Sequence, residues 1–191
     1  MKKKHYVTLI KWALFVIYMI LLFYVVFFAE GMGRAEIASG YKYNLTLFTE
    51  IRRYWRYLGH FDSLGWIAFL NIIGNVLAFI PFGIFVPWLS NGRINVFATF
   101  AYGFALSLTI ETVQLICKVG CFDVDDLVLN VLGALCGYAV YAIAYRIVKM
   151  FNKKDVMNLS YSITLLLQLP IYVFPVSLYT IFSYVSLFSL L

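Results

Sequence analysis

Charge is scarce in this sequence. Only 13% of its 191 residues are charged, against 63% hydrophobic, a balance outside the range of soluble globular domains. Acids are scarcest, nine Asp and Glu in all, so each one inside an apolar run needs a physical reason. Histidines number two, His5 and His60, and the three cysteines, Cys117, Cys121 and Cys136, form no CxxC. Zinc ligation therefore lacks its usual spacing. No Ser-His or Cys-His arrangement supplies an activated nucleophile. No stretch of 20–50 residues repeats, and no segment is of low complexity. Neither a metal nor a cofactor is expected.

What is abundant is hydrocarbon and rings. Aromatics reach 19%, and Tyr and Trp gather at bilayer interfaces. A net charge of +6 would suggest nucleic acid in a soluble protein. Here the basic residues flank apolar spans, as the positive-inside tendency requires, so no nucleic-acid partner is expected. The start, "MKKKHYVTLIKWALFVIYMILLFYVVFFAEG", runs apolar from Trp12 to Ala29. That is too long for a signal-peptide core and ends in a poor cleavage context, which predicts an uncleaved first transmembrane helix.

A hydrocarbon core roughly 30 Å thick needs about 20 helical residues. Five segments qualify: 9–29, 64–89, 94–117, 124–148 and 160–190. The expected fold is an all-α integral membrane protein, one helical domain over 1–191, with an additional C-terminal helix at 160–190. With the N-terminus inside, nine Lys and Arg fall on the inner side and six on the outer. The expected placement is therefore a plasma membrane, N-terminus cytoplasmic and C-terminus extracytoplasmic. Within the first loop, "YNLTLFTEIRRYWRYLGHF" spaces Leu45, Phe48, Ile51, Trp55 and Leu58 at near-helical intervals. This predicts either an amphipathic segment on the outer surface, with Arg52, Arg53 and Arg56 available to lipid or ligand headgroups, or an ordered loop packed over the bundle.

Polar residues in three spans share helical faces. Asp126, Asn130, Gly133 and Gly137 fall at i, i+4, i+7 and i+11 of the fourth. Gly103, Ser107, Glu111, Gln114 and Lys118 stripe the third, and Asn71, Asn75 and Ala78 the second. Gly133 and Gly137 make a GxxxG, which lets helix backbones approach. Measured along each helix, the three stripes meet at one depth. An acid at mid-membrane costs roughly 2.5–3.5 kcal/mol on insertion scales, so Glu111 should face the bundle interior. Asn71, Asn75, Glu111, Gln114, Asp123, Asp126 and Asn130 are the candidate site. Asp123 and Asp125 are expected at the surface and solvated, and Asp126 suits the first turn of its helix. Pro81, Gly83 and Pro87 predict a bend in the lower half of the second span.

These residues resemble a known pattern. "YNLTLFTEI", "NIIGNVLAFIPFG", "ETVQL" and "FDVDDLVLNVLGALCGY" are similar, in type and order, to motifs of the VanZ-like family of bacterial membrane proteins. The founding member of that family is associated with resistance to the glycopeptide teicoplanin. The motifs cover residues 43–138, and the family-like core extends to 148. Departures fall at Leu47, where the family usually shows proline, and at Cys121. The resemblance implies lowered susceptibility to lipophilic glycopeptides, and it gives weight to Asn71, Asn75, Pro81, Gly83, Glu111, Gln114, Asp123, Asp126, Asn130 and Gly133. It supplies no established catalytic residue. The expected mode is binding of an amphiphile, either a lipoglycopeptide or a lipid-linked cell-wall precursor, in contact with membrane lipids. The alternative is an intramembrane enzyme using Glu111 and Asp126 as acid and base. A small carrier stands third, because five spans without inverted repeats need oligomerisation to alternate access.

Overall fold

The structure, a computed structural model, describes residues 2–29, 41–57 and 63–151. Helix α1 (Lys2–Tyr24) runs on into a π turn, Val25–Ala29. A two-residue strand β1 (Tyr43–Asn44) leads to a short helix α2 (Thr49–Tyr57). Then come α3 (Ser63–Leu89), α4 (Val96–Cys117), strand β2 (Phe122–Asp123) and α5 (Val124–Phe151). Among the described residues four segments are long and apolar enough to cross a membrane: His5–Phe27, Phe69–Leu89, Val96–Cys117 and Val124–Met150. The chain is an all-α, multi-pass membrane protein. The predicted fifth span, 160–190, lies outside the described residues.

Cap chemistry sets the helix ends. Asn95 accepts from the Ala98 N–H at 3.0 Å to open α4, as an N-cap side chain should. Lys118, at φ 57°, closes it in the left-handed region. The predicted bend at Pro81 and Pro87 leaves α3 continuous, with both prolines inside the helix and buried.

The tightest packing is between α3 and α5. A Cβ on Gly133 would strike the Val76 carbonyl and come 3.0 Å from the Phe79 Cβ. One on Gly137 would strike the Ile80 carbonyl, and one on Gly83 the Ala134 carbonyl. Three glycines therefore bring two backbones into contact, the approach that small residues allow in membranes. Gly103 on α4 faces the Ala134 Cβ of α5, which a side-chain carbon would approach to 2.9 Å.

Helix α1 lies against α3. Tyr18, Leu22, Phe79, Phe82, Phe85 and Trp88 are buried in one cluster, with Phe15 5.6 Å from Phe85 between ring centroids. Polar bonds fix how α1 sits. The Tyr18 hydroxyl donates to the Ala78 carbonyl at 2.8 Å. At the lower end Lys11 Nζ donates to the Trp88 carbonyl at 3.2 Å and to Asn91 Oδ1 at 3.3 Å, and sits 4.8 Å over the Trp88 ring. A cation suits the C-terminal end of α3, where carbonyls lack helical partners.

Candidate functional site

The polar end of the bundle is built where the chain leaves helical geometry. Strand β1 comes from the first loop and pairs in parallel with β2, Tyr43 opposite Phe122 and Asn44 opposite Asp123. Two residues on each side make a weak ladder, so side chains complete it. The Phe122 N–H donates to the Lys42 carbonyl at 3.1 Å. Asn44 Nδ2 donates to both carboxylate oxygens of Asp123, at 3.2 and 3.1 Å, while its Oδ1 accepts from the Thr46 N–H at 3.1 Å.

Acids receive the remaining backbone donors. Glu111, on the last turns of α4 and 3% exposed, accepts from the Asp123 N–H at 2.9 Å. Asp123 Oδ1 accepts from the Asp125 N–H at 2.8 Å, which makes Asp123 the N-cap of α5. Asp125 Oδ1 accepts from the Phe48 N–H. Phe48 has φ 65°, a strained setting for a bulky residue, and its carbonyl opens α2 by accepting from the Arg52 N–H at 2.9 Å. Near hydrocarbon an unsatisfied backbone donor costs several kcal/mol. A carboxylate is the strongest side-chain acceptor available for it.

One turn deeper the amides join the helices. Asn75 Nδ2 on α3 donates to Asp126 Oδ1 on α5. Asn130 Nδ2 on α5 donates to Ser107 Oγ on α4 at 3.0 Å, both residues buried. Glu111, Asp123, Asp126, Asn75 and Asn130 therefore gather at the end shared by the N-termini of α3 and α5 and the C-terminus of α4.

Other candidates go elsewhere. Asn71, expected in the polar core, is exposed; it precedes Asn75 by one turn and lies above the level where α3 meets Asp126. Gln114 is buried but turns toward the π turn that follows α1, its Nε2 donating to the Val26 carbonyl at 3.2 Å. Lys118 caps α4 and sits 5.1 Å over the Tyr41 ring. Arg52 and Arg56 are exposed on α2. The side chain of Arg53 lies outside the described set.

The structure corrects the expectation of a solvated Asp125, which is 2% exposed. The backbone of Phe48 supplies the reason: an acid in the first turn of α5 is drawn inward by a donor from the loop. Asn44 and Ser107 also belong to the assembly. The spacing Asp-x-Asp at a helix start signals the Asp123 cap, and Asn-x-Thr signals the turn at Asn44. Nothing local signals that the two would pair.

Among the described residues no three His, Cys, Asp or Glu side chains converge to hold a metal ion. An assembly of carboxylates and amide oxygens recognises donors: hydroxyls, amides and ammonium groups.

A family model described as VanZ/LLP1 matches residues 15–145, a stretch containing all of these residues. Protein VanZ of Enterococcus faecium is 32% identical over 104 residues, which are 54% of this chain and 63% of that protein. The match thus leaves more than a third of that relative's length uncovered. No solved structure matches.

Proposed function

The chain belongs to the VanZ/LLP1 family, and from that premise we propose that it lowers susceptibility to teicoplanin-type lipophilic glycopeptides by binding without turnover. The occupant is an amphiphile, either the lipidated antibiotic or a lipid-linked envelope precursor. Its polar part hydrogen-bonds at the end of the bundle formed by Glu111, Asp123, Asp126, Asn75 and Asn130, and its chain lies among the apolar helices. The observation that carries this reading is the convergence of α3, α4 and α5 on one acceptor-rich end in a chain otherwise poor in acid. Glycopeptides and lipid-linked sugars are rich in the hydroxyl, amide and amine donors that such a set recognises. The excess of Lys and Arg on the opposite side supports a cytoplasmic N-terminus, with the acceptor-rich end outside.

The test is binding of a lipidated glycopeptide and its non-lipidated analogue to the purified protein, alongside resistance assays on Asp126→Asn and Glu111→Gln. Tighter binding of the lipidated form, weakened by Asp126→Asn at unchanged protein level, is the expected result. Equal weak binding of both eliminates the antibiotic as occupant. Resistance that survives both substitutions removes the assigned site. A changed envelope lipid in expressing cells, detected by mass spectrometry, would replace binding with catalysis.

A further inference from the structure

The segment from Tyr41 to Arg56 crosses the acceptor-rich end as a strap, and its outward surface is unusual for a loop. Tyr43, Leu45, Phe48, Ile51 and Trp55 are all exposed, Trp55 to 74%. Lys42, Arg52, Arg56 and the neighbouring Lys118 are exposed among them. A water-facing loop would not present this many large apolar groups together.

The strap's position is fixed by contacts independent of that surface. At one end it is pinned by the β1–β2 pair, the Asn44–Asp123 bonds and the Phe48–Asp125 bond. At the other, the Tyr54 ring lies 5.6 Å from the Phe69 ring, and Phe69 begins the stretch of α3 that is long and apolar enough to cross a membrane. Helix α2 thus sits at the depth where hydrocarbon gives way to headgroups. Rings with aliphatic side chains among flexible cations are the composition of a surface that rests in that layer, the rings in the acyl boundary and the cations among the phosphates.

We propose that this strap is a docking surface for the anionic headgroup layer of the bilayer itself. Its apolar side chains anchor it in the boundary, and Lys42, Arg52, Arg56 and Lys118 select acidic phospholipid over zwitterionic. The partner is an extended lipid surface that surrounds the protein. It is distinct from the amphiphile held at the acceptor-rich end and does not require it.

The experiment uses the full chain reconstituted into mixed phosphatidylglycerol and phosphatidylcholine bilayers, with bromine on the acyl chains of one lipid or the other. The readout is the emission that depends on Trp55, obtained as the difference between the native chain and Trp55→Phe. Brominated phosphatidylglycerol should quench it more than brominated phosphatidylcholine at equal mole fraction. Each cation reaching the headgroup plane should contribute on the order of fivefold to local enrichment at low salt. Replacing Lys42, Arg52, Arg56 and Lys118 together by Gln should abolish the preference while quenching by both lipids persists. The pair Arg146→Gln and Lys149→Gln, at the far end of α5, should leave the preference intact. Emission quenched by aqueous acrylamide and by neither brominated lipid would overturn the proposal. So would equal quenching by the two lipids in the native chain, since the cations would then select nothing.

Discussion

Glu111 and Asp125 each turn a carboxylate toward one backbone N–H, and their substitutions should report that role. In Glu111→Gln an amide oxygen can still accept from Asp123, so the variant should fold with a modest loss, about 1 kcal/mol, as a charged acceptor becomes neutral. Glu111→Leu leaves the Asp123 donor unsatisfied and should cost about 1–3 kcal/mol more. Thermal unfolding in detergent should rank native, Gln and Leu in that order; Gln and Leu variants melting together would show that the Asp123 bond contributes nothing. Asp125→Ala should release the Phe48 N–H, and amide hydrogen exchange across 43–49 should quicken while exchange in the middle of α5 stays slow. These roles were only half legible in the sequence. Scarcity of acid marked Glu111, because a carboxylate inside an apolar run has few bland explanations. Asp125 escaped, because an acid in a first helical turn already has one. Its actual partner lies 77 residues away, beyond the reach of any local pattern.

At the scale of elements, the four described spans are legible because apolar length alone announces a membrane helix, and the ends found at Leu89 and Cys117 are those expected. The strap is less legible. Near-helical spacing from Leu45 suggests one amphipathic run, yet helix begins only at Thr49, because Asn44 turns the chain by accepting from the Thr46 N–H and Phe48 takes φ 65°. Two-residue strands have no periodicity to detect. The GxxxG on α5 was visible, but its receiving surface, the carbonyls of Val76 and Ile80, carries no sequence signature at all. Gly133→Leu and Gly137→Leu should each push α3 from α5 at a cost of about 1–3 kcal/mol or more. The separation should also break the Asn75–Asp126 bond, so a Gly137→Leu variant should lose both thermal stability and the proposed binding of an amphiphile. Its effects should not add to those of Asp126→Asn. Simple additivity in a double-mutant cycle would separate helix packing from the polar end.

Across the whole molecule, the proposed orientation has the acceptor-rich end outside, and Lys118 offers a direct check. Lys118→Cys, with Cys117 and Cys121 changed to Ser, should react with a membrane-impermeant maleimide on intact cells; reaction only after lysis would invert the orientation. Helix α1 poses a different question. Lipid tails compete on equal terms for its apolar face, so oily contact alone cannot hold it. Lys11, Tyr18 and the Val26 carbonyl meet α3 and α4 at three heights over about 22 Å of helix. Tyr18→Phe should therefore loosen α1 by about 0.6 kcal/mol, with ~1.7 as the ceiling, readable as faster exchange in α1 alone. Three rivets at three heights are also an address. A first span expressed as its own polypeptide beside residues 41–191 should find its berth without a covalent tether, and the two pieces should co-purify. Strip the rivets and it should drift off as one more hydrophobic rod.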